Sequence, residues 1–213
     1  MDLHSEPRRP PGDGAFVALG LGSNVGDRRR WLERAAAWLT ATGVVEITGR
    51  SRFYETEPVE AAPQPWYLNQ VLSLRTRLSP DALLALAQRA EESLGRRRNG
   101  HHGPRTLDVD LLCYGSCVRW TPRLRLPHPA LSRRRCLLVP LAELGATWRH
   151  PVLRLTPAEL LAVCFDPGRV FPLRDRLSPC PSTTAAACTP GACLPERNKE
   201  KRVPSPPGHV RGR

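Results

Sequence analysis

The stretch "YLNQVLSLRTRLSPDALLALAQRAEESLG", residues 67–95, places a strand pattern directly before a helix pattern. Leucines alternate with polar residues over 67–78, which is typical of a strand with one buried face. Ser79 and Pro80 then provide an N-cap and a first-turn residue, and Gly95 provides an end. Between them an apolar stripe recurs at helical spacing, formed by Leu83, Leu86, Ala87, Ala90 and Leu94. The stretch therefore predicts a half-buried strand followed by an amphipathic helix.

Similar patterns predict the neighbouring elements. They are a strand in "AFVALGLGSNVGD" (15–27), a helix in "RRRWLERAAAWLTATG" (28–43), a second strand in "VVEITGRSRFYET" (44–56), a strand in "GPRTLDVDLLCYG" (103–115) and short helices in "RRRCLLVPLAELG" (133–145) and "TPAELLAV" (156–163). The order β-α-β-β-α-β with short connections is the split βαβ arrangement. We expect an α+β, ferredoxin-like fold, with a mostly antiparallel sheet covered by helices in a single domain.

Composition divides the chain into three parts. Residues 1–14 lack the apolar core of a secretory signal and are expected to be a disordered leader. Residues 15–165 carry the strand and helix patterns and form the predicted domain. Residues 166–213 hold nine of the chain's 23 prolines and show no amphipathic period, so we expect a disordered tail there.

Composition also restricts the class of protein. The sequence has no apolar run long enough to span a membrane, and its seven scattered cysteines lack the spacing of metal ligands. Because no export signal is seen, these cysteines are expected to be reduced thiols in a cytoplasmic protein. The net charge of +12 favours an anionic partner.

Two acids lie one residue apart in the strand predicted over 103–115. Because strand side chains alternate between faces, Asp108 and Asp110 point the same way. The opposite, apolar face is predicted to consist of Leu107, Val109, Leu111 and Cys113. A divalent cation such as Mg²⁺ would neutralise the acid pair. A solvated strand face balanced by nearby arginines is the alternative.

Basic side chains flank the acid pair in the sequence. They are Arg96, Arg97, Arg98, Arg105, Arg123, Arg125 and His128. Guanidinium groups beside metal-binding acids suit a triphosphate, because they bind the charge that develops during transfer. For each arginine alone, surface solvation is the alternative. The loop "GLGSNVGD" (20–27) lacks the lysine of a P-loop, so a tight strand-to-helix turn stays open as its role.

Six stretches together resemble one known family. They are "LGLGSNVGD", "FYETEPV", "YLNQV", "QRAEESLGRRR", "HHGPRTLDVDLL" and "RLPHPAL...PLAEL", which cover about residues 15–165. In order and spacing they resemble the 6-hydroxymethyl-7,8-dihydropterin pyrophosphokinases of folate biosynthesis. The resemblance implies a Mg²⁺-dependent diphosphotransferase, in which ATP gives its β,γ-pyrophosphate to the hydroxymethyl oxygen of the pterin and AMP leaves.

The resemblance also implies roles for individual residues. Two Mg²⁺ ions would be held by Asp108 and Asp110, which would act in catalysis together with Arg96 and Arg105. The positions that match ATP contacts are Gln88, Glu91, Arg96, Arg98, Arg105, Leu111, Arg123, His128 and Arg134. The positions that match pterin contacts are Thr56, Val59, Tyr67, Asn69 and Asp108.

Three positions depart from the family's pattern. His102 stands where a tryptophan is common, Cys136 stands where an aromatic residue closes the pterin site, and Glu57 replaces a proline. Loss of one stacking face costs roughly 0.5–1.5 kcal/mol of binding free energy, which is about tenfold in affinity. We therefore expect catalysis with weakened pterin binding.

Three other functions stay open. An RNA-binding domain would expose aromatic residues on its central strands, whereas this strand presents Asp108 and Asp110, so nucleic acid is not an expected partner. A different metal-dependent phosphoryl or nucleotidyl transferase would use the same acids but release other products. A degenerate relative would not bind pterin. Fusion to, or association with, a neighbouring folate-pathway enzyme is a further open alternative.

Overall fold

The computed structural model describes residues 15–58, 64–95, 103–145 and 147–173. The predicted leader and residues 174–213 of the predicted tail lie outside these ranges. In the described part of the chain, no helix is both long and apolar enough to cross a membrane. The four cysteines described, Cys113, Cys117, Cys136 and Cys164, are all free thiols.

Eight strands and four helices make up the described structure. The strands are β1 (Val17–Ser23), β2 (Val45–Arg50), β3 (Tyr54–Thr56), β4 (Tyr67–Thr76), β5 (Asp108–Tyr114), β6 (Arg119–Trp120), β7 (Arg125–Leu126) and β8 (Val170–Pro172). The helices are α1 (Arg28–Ala41), α2 (Pro80–Ser93), α3 (Arg135–Leu144) and α4 (Pro157–Ala162). A 3-10 turn, Leu131–Arg133, precedes α3.

The main sheet has the order β5-β1-β4-β3-β8, and β2 also pairs with β4. All of these pairings are antiparallel. Strands β6 and β7 form a separate small hairpin. The predicted α+β, ferredoxin-like fold with a mostly antiparallel sheet is confirmed.

The helices begin and end where local chemistry requires it. The Ser79 hydroxyl accepts a hydrogen bond from the Ala82 N–H at the start of α2, and Gly95 follows the helix with φ +81°. At α4, Thr156 and Glu159 form the predicted capping box. Gly43 follows α1 with φ +71°, a conformation that an L side chain would strain.

The sheet separates two apolar clusters. The larger cluster joins the inner faces of α1 and α2 to one face of the sheet, through residues such as Leu19, Leu72 and Leu111. The smaller cluster lies on the opposite face and includes Val71 of β4 and Leu141 of α3. Because α3 covers this second face, the middle of β4 is buried on both sides, and the prediction of a half-buried strand is wrong there.

The predicted second strand over 44–56 is in fact two strands. Strands β2 and β3 pair with different parts of β4, and Ser51 lies between them. The Ser51 N–H donates to the Val71 carbonyl, and the Ser51 hydroxyl accepts from the Val71 N–H. The side chain of Ser51 therefore replaces a ladder bond where the strand is interrupted, which alternation of residue types does not reveal.

The predicted apolar face of β5 is correct except at Cys113. The pairing of β1 with β5 shifts in register between Ala18 and Leu19, so that Leu19 faces Leu111 whereas Ala18 faces Cys113. This bulge places Cys113 in the smaller cluster, away from Val109 and Leu111. The prediction that Cys113 shares their face is wrong because strict alternation does not allow for the extra residue.

The boundary predicted at residue 166 is also wrong, because the folded unit continues to residue 173. Strand β8 pairs with β3 at the sheet edge, and the Leu173 N–H donates to the Phe53 carbonyl. A three-residue edge strand that ends in a proline carries no measurable period, so its partner strand, and not its own sequence pattern, determines its structure.

Candidate active site

Two glycines of β1 form the floor of a cavity on the face partly covered by α3. Gly22 lies between Asn69 of β4 and Asp108 of β5, and Gly20 lies between Val71 and Asp110. A Cβ atom at Gly22 would lie 2.8 Å from the Asn69 Oδ1 atom. Because β1 presents no side chains here, the neighbouring strands enclose a cavity of about 470 Å³.

The acid pair lies where the alternation of β5 predicts. Asp108 and Asp110 both line the cavity. Arg105 Nη1 donates to Asp108 Oδ2 at 2.6 Å, in an ion pair whose two side chains are largely buried. Burial lowers the pKa of Arg105, but the Asp108 carboxylate more than compensates, so the net pKa is raised and Arg105 stays charged.

His128 and Arg134 complete the basic side of the cavity. Burial lowers the pKa of His128 below its ordinary value, so the imidazole is neutral at pH 7. The backbone N–H of His128 donates a hydrogen bond to the Leu112 carbonyl. This bond holds the segment before the 3-10 turn against β5.

A second cavity of about 230 Å³ adjoins the first. Its lining includes Leu84, Leu111 and Arg123, and it shares Asp110 and His128 with the first cavity. Asp110 therefore stands where the two cavities meet, and Asp108 lies beside it in the first cavity. Two adjoining cavities can hold two reactants side by side, which brings their reacting groups into proximity.

The predicted pterin side is brought together on β3 and β4. Buried Thr56 accepts a hydrogen bond from Asn69 Nδ2 at 2.6 Å. The half-buried Tyr67 ring lines the same cavity, and burial raises the pKa of its hydroxyl. Cys136 lies on the wall formed by α3, where burial raises the pKa of its thiol to about 11, so it is a neutral apolar group.

Two predicted ATP contacts lie on α2, away from the cavity linings. Glu91 is buried, and its Oε1 accepts a hydrogen bond from the Val109 N–H at 2.8 Å. Gln88 is half-buried one turn earlier. Neither residue lines the two cavities described above. Their role in ATP binding stays a prediction, as do the roles of Arg96, Arg98 and Val59, which lie outside the described residues.

The acid pair fits a divalent metal of the Mg²⁺ type. Two carboxylates on one strand face offer hard oxygen ligands, which Mg²⁺ takes together with substrate phosphates and water. Among the described residues, no group of three or more histidine, cysteine, aspartate or glutamate side chains could hold a metal ion. The remaining ligands would therefore come from a phosphate-bearing substrate and water.

Sequence reasoning missed two polar residues at this site, Asn24 and Gln64. Asn24 is buried behind the cavity wall, and Gln64 lines the cavity itself. The signal for Asn24 was present in the loop "GLGSNVGD", where a second polar residue directly follows a fully buried strand. It could not be interpreted because its partners come from distant parts of the chain.

The site combines a pair of carboxylates with arginines and a neutral histidine beside two adjoining cavities. Enzymes that transfer phosphate-containing groups with a divalent metal use side chains of these kinds. A family model makes the assignment specific. The chain belongs to the 7,8-dihydro-6-hydroxymethylpterin-pyrophosphokinase family, whose model matches residues 18–146. It is a pyrophosphokinase of folate biosynthesis.

Curated relatives agree with the family. The 2-amino-4-hydroxy-6-hydroxymethyldihydropteridine pyrophosphokinase of Methylorubrum extorquens is 38% identical over 147 residues, covering 66% of this chain and 93% of the relative. The Bacillus subtilis protein of the same name is 42% identical over 130 residues, covering 61% and 77%. A "Folate synthesis bifunctional protein" of Arabidopsis thaliana is 38% identical over 132 residues, but this chain spans only 27% of it.

Solved structures agree with the fold. The crystal structure of Plasmodium falciparum HPPK-DHPS with pteroate superimposes with a TM-score of 0.56 at 13% identity, covering 70% of this chain and 44% of that chain. At this level of identity the similarity shows the fold alone.

Proposed function

We propose that this chain transfers the β,γ-pyrophosphoryl group of ATP to the hydroxymethyl oxygen of 6-hydroxymethyl-7,8-dihydropterin, with release of AMP. The observation that carries the proposal is that Asp110 and His128 line both cavities. The hydroxyl oxygen forms a bond to the β-phosphorus, and the bond from that phosphorus to the α,β-bridging oxygen breaks. The bridging oxygen leaves as part of AMP, and the hydroxyl proton passes to solvent water. The acid pair stands where the two substrates would meet.

The basic side chains around the acid pair are suited to the triphosphate. Arg105 remains charged beside Asp108, and Arg134 lines the same cavity. Arg123, at the second cavity, is exposed. Guanidinium groups fixed in a partly buried site bind the phosphate charge that spreads during transfer more strongly than in water.

The pterin fits the polar and aromatic side of the first cavity. Thr56 fixes the Asn69 amide by accepting a hydrogen bond from its N–H. The Asn69 side-chain oxygen can then accept a hydrogen bond from the pterin edge, and the Thr56 hydroxyl can donate one to it. Tyr67 offers a ring face for stacking. Cys136, across the cavity, offers less contact area than an aromatic residue would.

Asp108 and Asp110 are the residues that would hold the Mg²⁺ ions, of which we propose two. When bound, Mg²⁺ neutralises phosphate charge and lowers the pKa of the attacking hydroxyl. Asp108 has a further partner in Arg105, so this carboxylate keeps a fixed orientation on the cavity floor.

Four further predictions belong to the same proposal. Gln88, Glu91, Arg96 and Arg98 contact ATP, and Arg96 takes part in catalysis.

The enzyme is cytoplasmic, in keeping with the free thiols of the described residues. It does not act on nucleic acid. Association with a neighbouring folate-pathway enzyme stays a prediction that the bifunctional relatives support.

The products test the proposal. The protein is incubated with ATP and Mg²⁺, with and without the pterin, and nucleotides are separated by chromatography. We expect pterin-dependent AMP, reduced roughly 10²–10³-fold by Asp110→Asn. Asp81→Asn is the matched control, because Asp81 is exposed on α2 and pairs with Arg119 outside both cavities.

Two outcomes would contradict the proposal. Release of pyrophosphate in place of AMP would indicate a nucleotidyl transferase that uses the same acids. No AMP at saturating pterin would indicate that Cys136 and His102 have removed the pterin site.

A further inference from the structure

We propose that Asn24 is a positioning residue that connects two walls of the first cavity. These are the nucleotide wall, which carries Arg105, and the pterin wall, which carries Gln64 and Tyr67. The kinetic consequences of this inference rest on the proposed function. Asn24 follows β1 in the loop before α1 and is 2% exposed. It does not line either cavity. Its effect on the reaction therefore has to pass through the residues it holds.

One side of Asn24 holds the Arg105 segment. Asn24 Oδ1 accepts from the Arg105 N–H at 2.7 Å, and the Asn24 N–H donates to the Arg105 carbonyl at 3.0 Å. Both backbone polar groups of Arg105 are thus held by one residue. The guanidinium of Arg105 then pairs with Asp108, so its position on the cavity floor depends on this anchored backbone.

The other side of Asn24 holds the segment that leads into β4. Asn24 Nδ2 donates to Gln64 Oε1 at 3.0 Å and to the Pro65 carbonyl at 3.3 Å. Gln64 lines the cavity, and its Oε1 also accepts from the Tyr67 hydroxyl at 3.4 Å. The stacking ring of the pterin side is therefore connected to Asn24 through a single side chain.

Only a side-chain amide can make both sets of contacts from one buried position. It combines an acceptor for the Arg105 N–H with a donor for two oxygens, whereas a carboxylate offers acceptors alone. Because Asn24 is buried, these bonds are not exchanged for bonds to water. Asn24 therefore holds the two walls in a fixed position relative to each other, although they come from segments 40 and 81 residues away from it along the chain.

The kinetic test uses three variants. We expect Asn24→Ala to raise KM about tenfold for ATP and for pterin, and to lower kcat. Gln64→Ala leaves the Arg105 contacts intact, so KM should rise for pterin alone. Asn24→Asp keeps the acceptor for the Arg105 N–H but repels the Pro65 carbonyl, so KM for ATP should return towards the native value while KM for pterin stays raised.

His150→Ala is the control for general destabilisation. His150 is a buried polar residue whose Nδ1 accepts from the Val152 and Leu153 N–H groups, and it does not line either cavity. Its loss should lower the melting temperature without changing KM for either substrate. If Asn24→Ala behaves like His150→Ala, with native KM values, the positioning role is refuted.

Hydrogen–deuterium exchange separates this inference from the proposed function. In Asn24→Ala, we expect faster exchange at peptides around residues 64–67 and at the Arg105 amide. If Asn24→Ala does not fold, Asn24→Asp takes its place, and faster exchange is then expected around residues 64–67 alone. A wild-type chain that makes no AMP would overturn the proposed function, yet the exchange result would still decide the positioning role. Unchanged exchange at both segments would overturn it.

Discussion

At the residue scale, most polar side chains of the cavity are already bonded to one another. Asn69 donates to Thr56, and Arg105 pairs with Asp108. Such bonds fix the orientation of groups that must meet substrate, which lowers the entropy lost on binding. The site is therefore organised by its own side chains.

Cys136 is the residue where a single substitution should improve the enzyme. It lines the cavity that Tyr67 also lines. Cys136→Phe should add a second stacking face and tighten pterin binding by roughly 0.5–1.5 kcal/mol, up to about tenfold. Titration calorimetry with pterin checks this, with Cys164→Phe, whose cysteine does not line either cavity, as the control. Weaker pterin binding by Cys136→Phe would place the pterin elsewhere.

His150 predicts how stability depends on pH. Burial lowers its pKa in the folded state, so between the folded pKa and about 6.5 the unfolded chain binds more protons. The contribution of neutral His150 to the free energy of unfolding is therefore complete above about pH 6.5. It is lost as the pH drops through the lower folded-state pKa. His128, whose pKa burial also lowers, adds to the same slope.

His150→Asn should flatten this dependence. An asparagine oxygen accepts the Val152 and Leu153 N–H groups as His150 does but does not take up a proton. Melting temperatures measured from about pH 7 to pH 5 should decline less in the variant than in the native chain. Parallel declines would show that His150 does not contribute.

At the scale of elements, the glycine floor of β1 determines the shape of the site. Gly22→Ala would place its Cβ 2.8 Å from Asn69 Oδ1, so the Asn69 amide must turn and its bond to Thr56 breaks. KM for pterin should rise about tenfold or more, because a hydrogen bond of about 1–1.5 kcal/mol and the amide's orientation are lost together. Steady-state kinetics checks this, and an unchanged KM would mean that Asn69 does not face the pterin.

Alternation of residue types predicted β5 well enough to place both acids on one face, because those two positions precede the bulge. It failed at Cys113, which follows the bulge. It likewise merged β2 with β3, since the interruption depends on hydrogen bonds between Ser51 and a distant strand. Local patterns predict elements, whereas the features that depend on two strands together are not encoded locally.

At the scale of the whole molecule, residues 166–173 hold two walls of the site. Asp166 Oδ2 accepts from the Arg135 N–H at the start of α3, next to Arg134 and Cys136. Arg169 pairs with Glu57 through two N–H groups at 3.0 Å, and the Glu57 N–H donates to the Arg169 carbonyl. A proline at position 57 could not donate that bond, so this departure from the family's pattern has a structural role here.

Truncation tests the importance of this segment. A chain that ends after residue 165 loses β8, the Asp166 bond and the Glu57–Arg169 pair, whereas a chain that ends after residue 173 keeps them. The shorter chain should unfold at a lower temperature, by roughly 2–4 °C for each kcal/mol lost, and bind pterin more weakly because β3 carries Thr56. Equal melting curves for the two chains would show that β8 is dispensable.

The central claim is direct transfer of a pyrophosphoryl group between substrates that meet at Asp110. The measurement that tests it most directly follows the γ-phosphate of ATP, radiolabelled, in the presence of Mg²⁺ and 6-hydroxymethyl-7,8-dihydropterin. We predict that the label appears in the pterin product in equal amount to the AMP formed, and that Asp110→Asn lowers both signals roughly 10²–10³-fold. Label found in free phosphate or free pyrophosphate, with no labelled pterin, would contradict the account.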